Sequence, residues 1–139
     1  MTQHTQETTS EQAVNDLAAI RQAALDYMQG WYEGDAERMR RSLHTELAKR
    51  ALLRDAQTGE PRFHHLSQQQ LVTKTGQGGG SDEVPANKRY YEVSVLDIYE
   101  DIACARAESF DYVDYLHLAR EEGRWVIVNV LWAESHTKR

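Results

Sequence analysis

Sulfur and proline are scarce in this chain: its 139 residues include one cysteine, Cys104, and two prolines. A lone thiol excludes an internal disulfide and fits a reducing cytoplasm. Its place in an alternating run makes it a small buried hydrophobe rather than a reactive group. No apolar run approaches the roughly 20 residues of a membrane span, and no signal-peptide pattern opens the chain. The net charge of −6 sets the overall field against a nucleic acid, so neither nucleic acid nor membrane is expected as a partner. Metal-site spacing is missing too. His64 and His65 are adjacent on an expected strand and point to opposite faces, and no helical H-x-x-x-H or H-x-x-E-H occurs. Gly78-Gly79-Gly80 does not follow a strand and open a helix, which argues against a nucleotide loop. Neither a Ser-His-Asp nor a Cys-His arrangement is supported. No metal and no cofactor are expected.

What is present is β-rich at one end. Tyr112 to Trp132 reads YVDYLHLAREEGRWVIVNVLW, two apolar runs separated by Glu121-Glu122-Gly123, the pattern of a hairpin. With Arg120 and Arg124 flanking the turn, alternation puts Tyr112, Asp114, Leu116 and Leu118 on one face with Val126, Val128, Val130 and Trp132. The other face then carries Val113, Tyr115, His117 and Ala119 with Trp125, Ile127, Asn129 and Leu131. Neither face suits water, so helices should cover one and another subunit the other. The expectation is a homodimer through the outer face, using Val113, Tyr115, Trp125, Ile127 and Leu131.

Met1 to Thr9 is a polar leader expected to be mobile, and residues 10–139 form one domain. Thr9-x-x-Gln12 fits a capping box for a helix over Ser10 to Glu33, with Leu17, Ile20, Ala24, Tyr27 and Trp31 at helical spacing. Gly34 stops that helix and Asp35 caps a short second one, whose Arg38, Arg40 and Arg41 form a solvated face. A short strand over Leu47 to Arg54, a turn, and a strand over Arg62 to Leu66 follow. Ser67-x-x-Gln70 starts a third helix. Gly76 to Lys88 is a flexible connection, either a lid or a disordered tether. Arg89 to Tyr99 and Ile102 to Phe110 are further strands, with a reversal at Glu100-Asp101 and a break at Ser109-Phe110-Asp111. Helices first and an antiparallel meander second predict an α+β fold, with helices packed on one face of a curved sheet around a conical cavity.

The stretches WYEGDAERMRRSLH (Trp31 to His44) and VDYLHLAREEGRWVIVNVLW (Val113 to Trp132) resemble the cone-shaped, cystatin-like nuclear transport factor 2-like superfamily. Within it, the nearest likeness is to the small bacterial proteins labelled lumazine-binding. The superfamily also holds steroid delta-isomerase, scytalone dehydratase and polyketide-cyclase-like enzymes. YMQGWYEGD is similar to the isomerase helix that carries the oxyanion-hole tyrosine, which implies that role for Tyr27. The hairpin is similar to the one that carries the protonated aspartic acid, which implies Asp114, with Trp132 as an aromatic wall. That pairing of a neutral carboxylic acid with a tyrosine is a known way to hold an enolate oxygen. The isomerase's carboxylate base should fall near Lys49-Arg50-Ala51, and no acid stands there.

Asp114 on an apolar face should have a raised pKa and act as a neutral donor; the competing reading pairs it with an Arg or places it near water. Tyr27 could equally be a core tyrosine whose hydroxyl reaches water. His44 at the end of the second helix is the candidate base if it reaches the cavity mouth; a histidine capping helix carbonyls is the simpler role. The candidate catalytic set is thus Asp114, Tyr27 and His44, within a wall of Trp31, Tyr112, Leu116, Val128, Val130 and Trp132. The reading is a protein that holds a mostly apolar, carbonyl-bearing or ring-shaped small molecule. The alternatives are an isomerase, dehydratase or cyclase working through an enolate, and a dimerisation module whose cavity its own aromatics fill.

Overall fold

No glycine or proline interrupts the first 29 residues, and α1 accordingly runs from Thr2 to Glu33. The computed structural model describes residues 2–136, with side chains described from Ser10 onward. Thr2 to Thr9 thus continue the helix, since Thr is a weak helix former but not a breaker; the side chain of the expected Thr9 cap lies outside the described residues. Gly34, at φ +68°, ends α1. Asp35 caps α2 (Ala36–Ser42) by accepting the Arg38 amide. Arg40 and Arg41 stay exposed, as the solvated-face reading has it, but Arg38 is half-buried and Arg38 and Arg41 both have a partner in α1. Both turn back onto Asp26 of α1, Arg38 Nε at 2.8 Å, and tie the two helices into one bent arm.

β1 (Leu43–Arg54) starts directly after α2, four residues before the expected strand. β2 (Pro61–Leu66) returns antiparallel to it, and α3 (Gln68–Gly76) opens on the expected capping box, with Ser67 and Gln70 bonded reciprocally. After a 3-10 turn at Ala86–Lys88 come β3 (Glu92–Tyr99), β4 (Ile102–Glu108), β5 (Tyr112–Glu121) and β6 (Arg124–Glu134). The six strands lie in the order β2-β1-β6-β5-β4-β3, antiparallel except where β1 runs parallel to β6. The β5–β6 turn needs positive φ at Glu122 and Gly123, and both have it. This is an α+β protein with three helices and an open, curved, mixed sheet. No helix among the described residues is long and apolar enough to cross a membrane.

The hairpin register departs from simple alternation at one residue. Leu118 sits opposite Ile127 and His117 opposite Asn129, so Val128 is the extra residue of a bulge. One inserted residue exchanges the faces of everything before it. Trp125 and Ile127 therefore point into the core, 6% and 0% exposed, instead of onto the outer face. Tyr115 and Leu131 do remain outside, as does half-buried Cys104, which is not the buried hydrophobe expected.

The inner face packs on α1 through Ile20, Ala24 and Met28, with Leu116, Leu118, Ile127 and Val130 beneath them. Asp16 of α1 is buried in this layer, and three partners hold it. Trp125 Nε1 donates to its Oδ1 at 3.0 Å, Arg120 Nη1 at 2.7 Å and Gln12 Nε2 at 3.1 Å. Burial alone would raise the Asp16 pKa, but these bonds outweigh it and keep the carboxyl below its ordinary range. Arg120 also stacks over the Trp125 ring and reaches Asp101. Trp125→Phe keeps the packing but removes one donor from a buried carboxylate. It should cost about 1–3 kcal/mol in urea denaturation; an unchanged midpoint would show that this bond does not hold α1 to the sheet.

Candidate functional site

Beyond that packed layer the sheet curls away from α1 and leaves a cavity of about 330 Å³, within the size range of small-molecule sites. α1 supplies Tyr27, Met28, Trp31 and Tyr32 to its lining, and α3 supplies Leu71 and Lys74. The sheet contributes Lys49 and Leu53 from β1, His64 and Leu66 from β2, Ala107 and Ser109 from the end of β4, Tyr112 and Asp114 from β5, and Trp132 from β6. The walls are mainly aromatic and aliphatic, and the Tyr112 and Trp132 rings meet edge to face at 5.1 Å.

A chain of three polar groups is set into that wall. Lys49 Nζ donates to Tyr27 Oη at 2.7 Å, and Tyr27 donates to Asp114 Oδ2. The lysine amine also sits over the faces of three rings, Tyr27 at 4.9 Å, Trp132 at 5.8 Å and Trp31 at 5.9 Å. Alternation within each element explains the convergence. Tyr27 continues the inward stripe of Ile20 and Ala24. Asp114 lies opposite Ala107 and Trp132 on the inner face. Lys49 lies opposite Leu66 and Val130. Burial governs the titration of all three. It raises the Asp114 pKa against the opposing effects of Lys49 and the Tyr27 bond, and it lowers that of Lys49 against the pull of Asp114. It also pushes the Tyr27 phenol well up, with Asp114 adding to the shift.

A second buried group lies at the β4–β5 break. Tyr32 donates to Asp111 and lies 3.0 Å from Ser109 Oγ. The glycine-rich connection is neither a lid nor a tether. Its Gly80 amide donates to the Trp31 carbonyl at 2.9 Å, and a Cβ on Gly80 would fall 2.6 Å from Trp31 Nε1. Glycine is needed there because the backbone itself lies against the back of the cavity wall.

The structure brings Tyr27, Asp114, Trp31, Tyr112 and Trp132 together around one space. His44 is not with them. It is the second residue of β1, and its Nε2 lies 3.1 Å from Glu121 Oε1 at the hairpin turn, outside the lining. Leu116 and Val130 belong to the packed core, and Val128 is the bulge residue; none of the three lines the cavity. Lys49, His64 and Lys74 do line it and were not anticipated. For Lys49 a signal existed: Leu47, Lys49, Ala51 and Leu53 alternate as an inward-facing set with one polar member. Among the described residues, no group of three His, Cys, Asp or Glu side chains is placed to hold a metal.

The shifted pKa values give a signed prediction. A raised Asp114 pKa means that the folded state holds this proton more tightly than the unfolded chain, so its contribution to stability is greatest below the unfolded value and declines as pH rises through the folded one. A lowered Lys49 pKa acts the other way, with stability gained as pH rises from the folded value toward the unfolded one. Asp114→Asn removes the first effect and, by removing the partner charge, enlarges the second. The stability of the variant relative to the wild type should therefore rise between about pH 4 and about pH 8. Paired urea titrations would measure this, and a variant that instead falls further behind the wild type as pH rises would mean that Asp114 is held ionised.

Comparison with known proteins accords with this architecture. The family described as "Putative lumazine-binding" matches residues 15–133. Among solved structures, a NTF-2 like protein of unknown function from Silicibacter pomeroyi superposes with a TM-score of 0.69 at 18% identity, covering 88% of this chain and 98% of that one. A NTF2-like protein of unknown function from Methylobacillus flagellatus gives 0.65 at 21% identity, covering 88% and 94%. A ketosteroid isomerase-like protein from Erwinia carotovora atroseptica gives 0.60 at 15%, covering 86% and 95%. These likenesses concern the fold. No curated protein matches the sequence. With its model matched over most of the chain's length, the chain belongs to the family described as "Putative lumazine-binding", and its fold is the one these NTF2-like neighbours share.

Proposed function

We propose that the protein binds a flat, mostly apolar ring compound carrying a carbonyl edge, which the Tyr27–Asp114 pair engages. The observation that carries this reading is an apolar cavity with a hydrogen-bonded chain of polar groups, Lys49, Tyr27 and Asp114, set into its wall. Trp31 and Trp132 line the space rather than fill it, which weighs against a purely packed interior. The enolate alternative loses its proposed base, because His44 is engaged with Glu121 instead. The family's description names lumazine, a fused-ring dione, which belongs to the chemical class this cavity suits.

Lumazine and 2-naphthol share a two-ring footprint but differ in carbonyl content. Both should quench tryptophan fluorescence saturably, since Trp31 and Trp132 are in the wall, and lumazine should bind more tightly. Ala107→Phe places a ring in the cavity and should weaken both by about tenfold or more. If neither compound saturates, or Ala107→Phe binds as the wild type does, the cavity is not a ligand site.

We propose as well that a second copy covers the outer sheet face. Across it the register aligns Arg50, Leu131, Tyr115 and Arg106 on four adjacent strands, with Leu131 51% and Tyr115 55% exposed. An exposed apolar centre of this kind suits a two-fold contact in which the same face of the second copy meets it. Light scattering should report a dimer that Leu131→Glu dissociates; a monomeric wild type would refute it.

A further inference from the structure

Lys49 is the group that the binding reading leaves unexplained. Tyr27 and Asp114 already satisfy one another, and a methionine would pack against the three rings as well as an amine. Among the described residues, the only hydrogen bond of Lys49 Nζ is the one to Tyr27 Oη at 2.7 Å. Around it stand Tyr27 and Trp31 of α1, Trp132 of β6 and Asp114 of β5. His64 of β2, Lys74 of α3, Tyr32 and Tyr112 complete the titratable groups of the cavity lining. A surface lysine keeps its charge, solvated by water. This one faces a cavity with a hydroxyl within reach and a carboxyl immediately behind that hydroxyl. Those are the three parts that condensation of an amine with a carbonyl needs: a nucleophilic nitrogen, an adjacent acid and a proton reservoir. The apolar walls add the fourth, a place that holds the carbonyl compound and limits the water that would reverse the reaction.

We propose that Lys49 captures an aldehyde or ketone as an imine, with Tyr27 and Asp114 delivering the proton to the departing oxygen. This rests on the cavity reading above. The neutral amine adds its lone pair to the carbonyl carbon. The carbon–oxygen π pair moves to oxygen, which takes the Tyr27 proton while Asp114 replaces it. The adduct's nitrogen then returns a proton to the Asp114 carboxylate, leaving a neutral carbinolamine. In the second step the nitrogen lone pair expels the hydroxyl, which leaves as water on receiving the Asp114 proton through Tyr27. An iminium remains beside the Asp114 carboxylate. Amine and carbonyl have become iminium and water, one proton has moved from acid to product, and no oxidant or reductant is required. Burial favours the starting state of both partners, lowering the Lys49 pKa and raising that of Asp114.

The test uses the full chain with 2-naphthaldehyde and sodium cyanoborohydride, which reduces an imine to a stable naphthylmethyl amine. Tryptic mass mapping then compares Lys49 with Lys74, Lys88 and Lys138, the other three lysines of the chain. Lys49 should be labelled about tenfold faster than Lys88. Excess 2-naphthol should suppress that labelling, and Tyr27→Phe should slow it by about a hundredfold, the usual contribution of a positioned acid. Label distributed over the lysines without preference for Lys49, or Lys49 left unlabelled, overturns the proposal. Labelling of Lys49 at an unchanged rate in both Tyr27→Phe and Asp114→Asn overturns the acid's role. The outcomes separate from those of the binding reading. If 2-naphthol binds the wild type while Lys49 stays unlabelled, imine formation fails alone; if 2-naphthol does not bind, both fail.

Discussion

Two of the polar fastenings between α1 and the sheet set how the helix lies, and much of the molecule follows from them. At one, Asp16 receives Trp125, Arg120 and Gln12; at the other, Tyr27 donates to Asp114. Eleven residues of helix separate them, about 16 Å along the axis. A buried polar atom is costly unless paired. Each fastening therefore tolerates little sliding or rotation of the helix, which hydrophobic contact alone would allow more freely. The first lies in the packed half of the interior. The second lies where the sheet has curled away, so its partners serve as structure on one side and border open space on the other.

This double duty explains the chemistry of the cavity wall. A carboxyl, a phenol and an amine in so apolar a setting each resist ionisation, and each does so chiefly because water has been removed. Their mutual contact offsets part of that cost. The offset is incomplete for Asp114 and Lys49, and the remainder is what makes protons and lone pairs available inside the fold. Asp16 is a useful contrast. It is also buried, but with three donors around it the balance reverses, and the carboxyl is held as a stable anion. Three donors hold Asp16 as an anion, whereas Asp114 lies deeper in the fold with one phenol donor, Tyr27, beside it.

The order of elements was legible in the sequence, because helical spacing and strand alternation are direct consequences of backbone geometry; that Tyr27 and Asp114 share one cavity came from that parity together with the resemblance to the isomerase. The capping box at Ser67 was equally plain. The helix start expected at Ser10 was too late, since a polar stretch without glycine or proline can simply extend a helix. The faces of Trp125 and Ile127 were misassigned because one bulge at Val128 inverts parity, and no residue type marks a bulge of this kind. His44 was misplaced by a similar slip, with α2 passing directly into a strand where a loop was expected. Lys49 went unseen for a different reason. A single charge among Leu47, Ala51 and Leu53 reads as a flaw in an apolar face, and only the neighbouring strands show that it has an aromatic enclosure.

The backbone contact at Gly79 and Gly80 constrains how this cavity can change over time. Side chains are excluded there because Trp31 already occupies the space a Cβ would take, so the wall that Trp31 forms is closed to stepwise mutation. Enlarging Trp31 is impossible, shrinking it opens a gap behind the glycines, and substituting the glycines displaces the tryptophan. His64, Leu66, Leu71 and Lys74, on the β2–α3 side, carry no such coupling to a glycine backbone. A lineage adapting this fold to a new ligand would therefore vary the β2–α3 rim while the Trp31 side stayed unchanged, in effect a lock of one fixed and one adjustable jaw.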